Sequence, residues 1–147
     1  MGTIRSFEEI IAWQKARVLT SAVFELTNKG DLRKDFSLRD QIRRCSISTM
    51  ANIAEGFERT STREFAYFLS VAKGSAGELL SHFYIALDQH YVSQAEFLAI
   101  KQQVADVSSH LGGFIRYLKS MQPKRTKRPL KPQVHNSQLE TRNTKLQ

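Results

Sequence analysis

Residues 62–91 read TREFAYFLSVAKGSAGELLSHFYIALDQHY, and their periodicity decides the fold class. Phe65, Phe68, Leu69, Ala72, Ala76, Leu79, Phe83, Ala86 and Leu87 recur at the spacing that gathers apolar side chains on one side of a helix. At a rise of ~1.5 Å per residue, a helix from Thr62 to Tyr91 is a rod of about 45 Å. Its apolar side needs partners of similar length. Ser61, three residues ahead of Glu64, has the spacing of a capping box at its start.

Working outward, the same periodicity predicts three more helices. Phe7 to about Thr27 carries Phe7, Ile10, Ile11, Leu19, Val23 and Leu26, and Asn28, Gly30 and Asp31 close it. A second helix runs from Leu38 to about Glu55 and ends at Gly56, a residue free to take the left-handed conformation that terminates helices. A third, from Gln94 to about Lys119, carries Phe97, Ile100, Val104, Val107, Leu111, Phe114, Ile115 and Leu118, and Pro123 follows it. Ser6, Ser37 and Ser93 precede Glu9, Asp40 and Glu96 at the capping spacing. No segment alternates apolar and polar residues with period two, so strands are not expected. Short connections make sequential helices antiparallel, which predicts an all-α, up-down-up-down four-helix bundle over residues 1–121.

The chain has 147 residues, enough for one domain with a core that needs neither disulfides nor metal. Its net charge of +8 is uneven. Residues 122–147 hold seven Lys or Arg against one Glu, leaving fifteen basic and thirteen acidic residues in the body. With Pro123, Pro129 and Pro132 among polar residues, this stretch is expected to be a disordered basic tail. Such asymmetry points to a polyanion, RNA or DNA, rather than to a membrane, because the tail lacks an aromatic and leucine stripe. The N-terminal MGTIRSFEEI has acids where a signal peptide needs apolar residues, and a lone cysteine needs no oxidising compartment. A cytoplasmic location is expected.

Several residue sets invite a chemical reading. On the second helix Gln41, Arg44, Ser48, Asn52, Glu55 and Arg59 form a polar stripe on an otherwise apolar element. The stripe is either a solvated face or a buried network or subunit interface in which Arg44 pairs with Glu55 or Glu78. A buried pair predicts a loss of about 3–5 kcal/mol when one partner is removed. Gly74 and Gly77 mid-helix cost about 1 kcal/mol each relative to alanine, so a neighbouring helix is expected to approach closely over Ala72, Gly74, Ser75, Ala76 and Gly77. His82, His90, His110 and His135 include no Glu-x-x-His pair, and one cysteine does not make a thiolate zinc centre, so neither metal nor cofactor is expected. Asp106 and His110 lie one turn apart without a nucleophile and read as a surface pair; no catalytic residue is assigned. Tyr67, Tyr84, Tyr91 and Tyr117 fit core or interface positions better than base stacking.

In an antiparallel bundle one pole collects the start of the first helix, the end of the second, the start of the third and the end of the fourth. Arg5, Arg59, Arg63, Arg116 and Lys119 gather there, with Lys124, Arg125, Lys127, Arg128 and Lys131 of the tail beyond. These ten are the candidate nucleic-acid contacts.

FEEIIAWQKA at 7–16, QIRRCSISTMANIAEG at 41–56, EFAYFL at 64–69 and AKGSAGEL at 72–79 together resemble, in order and spacing, the proteins encoded in intervening sequences of bacterial 23S rRNA genes. Cys45, where that pattern usually has Ala, and Thr49-Met50, where Ile-Pro is common, depart from it. The resemblance spans about residues 5–120 and implies a four-helix bundle that assembles as a homopentamer, has no catalytic activity and binds nucleic acid. Accessory proteins of diversity-generating retroelements look similar; through them the resemblance implies, as an alternative, a reverse transcriptase and its template RNA as partners. A protein-interaction scaffold with an incidental basic surface is the reading from a different class.

Overall fold

The computed structural model describes residues 3–124, which form four helices: α1 (Ile11–Thr27), α2 (Phe36–Glu58), α3 (Thr62–Asp88) and α4 (Gln94–Ser120). Helices α2 and α3 share the largest contact, α3 packs on α4, and α1 closes the ring against α2 and α4; the diagonal pairs have no comparable contact. This is the up-down-up-down bundle. Leu19, Val23, Ile42, Ile53, Leu69, Leu79, Phe83, Val107 and Leu111 are fully buried along its axis. Each such side chain contributes about 1.5–3 kcal/mol by leaving water.

Two of the four serine caps form as expected. Ser93 accepts from the backbone N–H of Glu96 and donates its own N–H to that carboxylate, a complete capping box on α4. Ser61 accepts from Glu64 N–H at the start of α3. At α2 the cap is Asp35 instead of Ser37, which lies inside the helix. The reason is partly tertiary: one Asp35 carboxylate oxygen accepts from Leu38 N–H at 3.1 Å while the other accepts from the Tyr91 hydroxyl at 3.0 Å. Tyr91 thereby ties the α3–α4 connection to the first turn of α2. Ser6 makes no side-chain cap and precedes only a 3₁₀ turn, Phe7–Glu9. Extended backbone at the buried Ile10 separates that turn from α1, with the Phe7 ring edge-on to Trp13 at 5.1 Å.

Helix α3 stops short of the expected Tyr91. His90 adopts a left-handed φ of 58°, and the N–H groups of His90 and Tyr91 reach back to the carbonyls of Leu87 and Ala86 at 3.0 and 2.8 Å. That is a Schellman closure with histidine where glycine is usual. Gly56 does not end α2, which continues to Glu58. A Cβ there would lie 2.9 Å from both Phe65 Cδ2 and Phe68 Cβ, so the glycine permits a close crossing of α2 and α3.

Glu96 also pairs with Lys29 at 2.9 Å, joining α4 to the end of α1. The Ser93 N–H first, and then Lys29, hold its carboxyl below the usual range. With the folded pKa depressed, the stabilisation is present above the unfolded value of about 4.3 and lost as pH falls through the folded one. Between neutral pH and acid, thermal melts of the native protein should therefore fall further than those of Glu96→Gln.

Candidate functional site

Three polar groupings lie on the bundle. The first is a seam between α2 and α3. Ser48 Oγ and Ser75 Oγ are 3.0 Å apart, and the Asn52 side-chain amide donates to the Ser48 carbonyl at 2.8 Å and to its hydroxyl at 3.0 Å. Ser75 is buried, and the small residues Ala72 and Ala76 lie buried beside it. Of the expected stripe, Ser48 and Asn52 thus join a satisfied network and Gln41 is half-buried. The pairing of Arg44 with Glu55 or Glu78 does not form. Arg44 is exposed, Glu55 is bound by Arg59 one turn on at 2.6 Å, and Glu78 faces His82. An exposed guanidinium without a carboxylate partner stabilises the protomer little, so Arg44→Ala should change its unfolding free energy by less than about 0.5 kcal/mol, measured by denaturant titration at a concentration where assembly is absent.

The second grouping is the basic pole. Arg5, Arg63, Arg116, Lys119 and Lys124 are exposed, and among the described residues none has a carboxylate partner. Arg59 is held by Glu55 and lies over the Phe68 ring at 4.8 Å, so its charge is partly spent inside the protomer. Arg125, Lys127, Arg128 and Lys131 lie outside the described residues. Lys73 of α3 is a further cation that the helix order alone does not single out. A Cβ built on Gly112 would sit 3.4 Å from Arg116 Nη1 and 3.8 Å from Lys73 Nζ, so the α3 lysine and the α4 arginine converge over that glycine. The Gly112-Gly113 pair leaves α4 without side chains there, but which α3 residue comes level with it is set by the α3–α4 register.

The family model for the 23S rRNA-intervening sequence protein matches residues 8–113. The chain belongs to that family. A solved structure of a protein of unknown function from the S23 ribosomal protein family of Bacteroides thetaiotaomicron shares the fold, with a TM-score of 0.66 and 19% identity over 72% of this chain and 99% of that one. No curated protein matches. The match ends within α4, so Arg116, Lys119 and everything after them lie beyond the matched residues. Among the described residues no helix is long and apolar enough to cross a membrane.

The third grouping is Cys45, Glu78 and His82, where α2 meets α3. Cys45 is buried at 3% exposure, and burial first, then the Glu78 carboxylate, push its thiol up to about 11. Asp106, by contrast, turns its carboxylate to Lys15 at 2.9 Å; His110 reaches only the Asp106 backbone carbonyl. Of the four tyrosines, Tyr67, Tyr84 and Tyr117 are 64%, 43% and 45% exposed on α3 and α4; Tyr84 packs on Phe97 and accepts from Lys101, and Tyr91 donates to Asp35.

The expected close approach over the small residues of α3 is formed by Ala72, Ser75 and Ala76 alone. Gly74 and Gly77 face outward, and a Cβ on either would meet nothing within 4 Å. Their cost to helix α3 has no packing compensation among the described residues.

Proposed function

We propose that this member of the family is a non-catalytic homo-oligomer, a pentamer, that binds RNA or DNA through the basic pole and the residues that follow α4. The observation that carries the proposal is the placement of charge. The body is almost neutral, seven of the 22 basic residues follow Met121 in the sequence, and α4 ends at the pole where Arg63, Arg116 and Lys119 have no acidic partner among the described residues. Glu8, Glu9, Glu58 and Glu64 share that pole, so the bundle alone offers only a weak positive field. The chain beyond Met121 tips the balance.

Self-assembly is supported by the outer face of α3. Gly74 and Gly77 are bare there, and Tyr67, Tyr84 and Ile85 on the same helix, with Ile47 on α2, are 43–64% exposed. An odd-numbered ring uses heterologous contacts, so such a face meets a different face of the next copy. Gly74→Ala and Gly77→Ala distinguish the two environments. In a dilute protomer each should add about 1 kcal/mol of stability through helix propensity. Where a second chain packs on the bare backbone, the same methyl should shift the assembly toward monomer, read by sedimentation.

Light scattering of the full chain should return five chains per particle, and a filter or gel assay should show retention of single-stranded RNA that weakens steeply with salt. A monomer at micromolar concentration removes the ring. Retention indifferent to salt removes the electrostatic mode of binding.

A further inference from the structure

The geometry points to a divalent transition-metal site, of the zinc class, formed by Cys45 Sγ from α2 and by Glu78 Oε and His82 Nε2 from α3. The three ligand atoms all lie within 4.8 Å of one another. In a tetrahedral zinc centre, with Zn–S near 2.3 Å and Zn–N near 2.0 Å, such atoms sit about 3.3–3.6 Å apart. His82 Nε2 and Glu78 Oε1 are already at 3.5 Å, so only a small movement of the Cys45 and Glu78 side chains is needed.

A second, independent observation concerns His82. Its Nε2 is buried from solvent, and although it lies near the carboxylate it makes no hydrogen bond. Buried polar atoms in folded proteins are almost always satisfied, and an orphan of this kind calls for an unplaced water or ion. The helix explains how the ligands meet. Glu78 and His82 are one turn apart on the same side of α3, and Cys45 faces them from α2 across the most extensive helix pair in the bundle. Neither a Glu-x-x-His pair nor a second cysteine marks the site in the sequence: Glu78 and His82 are four residues apart, and the third ligand comes from across the interface.

The donor set selects the ion. One thiolate, one imidazole and one carboxylate suit zinc or cobalt, whereas magnesium and calcium want oxygen alone. Binding releases the thiol proton to solvent, and the thiolate and carboxylate together cancel the two positive charges of the ion. The resulting centre is uncharged, which suits a half-buried position. Exposed Arg44 nearby places a positive charge against the ion but favours the thiolate it needs. Three protein ligands leave the fourth position to water, and the ion clips α2 to α3.

The test is titration of the full-length, reduced protein with Co²⁺ alone, followed by Zn²⁺. The expected result is one ion per chain with thiolate-to-cobalt charge-transfer absorption that Zn²⁺ abolishes, together with a higher melting temperature. Cys45→Ala should remove the absorption, because this is the chain's one cysteine. His82→Gln and Glu78→Gln, which leave the core closed, should each weaken Co²⁺ binding by about tenfold or more, with circular dichroism unchanged. Three outcomes overturn the site: no charge-transfer band at saturating cobalt, an affinity indifferent to His82→Gln, or Zn²⁺ uptake undiminished in Cys45→Ala, which puts the ion on the other histidines.

Discussion

Truncation after Met121 is expected to leave the melting of the bundle unchanged while flattening the log-log salt dependence of RNA binding by about three to four units. Five of the cations removed, Lys124, Arg125, Lys127, Arg128 and Lys131, fall within eight residues of one another. On a single strand each neutralised phosphate contributes a slope of about −0.7, so five of them contribute about −3.5. Between 50 and 200 mM salt that share alone is worth roughly a hundredfold in affinity. If several chains of one ring hold the same strand, tethering raises the effective concentration of each for the next contact, and the truncated protein loses more than one chain's worth. Folding is unaffected because no core residue lies beyond Leu118 among those described. The measurement is binding at four or more salt concentrations for both proteins. Equal slopes would move the whole interaction onto Arg63, Lys73, Arg116 and Lys119, and the proposal that the chain after α4 carries it would fail.

How much of this was legible in the sequence depends on whether the signal was local. Helices α3 and α4 could be read closely because periodicity and the Ser61 and Ser93 caps are properties of neighbouring residues. The start of α2 was misread because Ser37 has the capping spacing to Asp40, whereas Asp35, two residues earlier, takes the cap. What decides between them is Tyr91, 56 residues away, which engages the second Asp35 oxygen. The end of α3 was misread because His90, a residue that tolerates the left-handed region less well than glycine, nevertheless takes it. The candidate sites fared worse for the same reason. The placement of Arg5, Arg59, Arg63, Arg116 and Lys119 at helix ends of one pole followed from topology, but the approach of Lys73 to Arg116 depends on the α3–α4 register. The meeting of Cys45 with Glu78 and His82 depends on the α2–α3 register, which no spacing along one helix encodes.

Gly56→Ala should cost the bundle about 2 kcal/mol, the opposite sign to Gly74→Ala or Gly77→Ala, although all three lie inside helices. Propensity alone favours alanine by about 1 kcal/mol at each position. At Gly56 the added methyl meets Phe65 Cδ2 and Phe68 Cβ at 2.9 Å and the Phe65 carbonyl at 3.3 Å. Phe65 can swing its ring, but Phe68 Cβ and the Phe65 carbonyl are fixed to the α3 backbone and move only if the helices separate. Separation disturbs the edge-on contacts of Phe65 with Phe57 at 6.2 Å and with Phe114 at 5.2 Å, which link α2, α3 and α4 at this pole. Overpacking of this kind costs about 1–3 kcal/mol or more, which outweighs the gain in propensity. For a domain of this size the melting temperature should fall by roughly 8 °C, with the denaturant m-value unchanged. Gly56→Val, with two further methyl groups, should fall further. A Gly56→Ala protein as stable as the original, or more so, would mean that α2 and α3 do not cross this closely. The spacing that lets Arg59, just past the end of α2, lie over the Phe68 ring of α3 at the basic pole would then have to be drawn afresh.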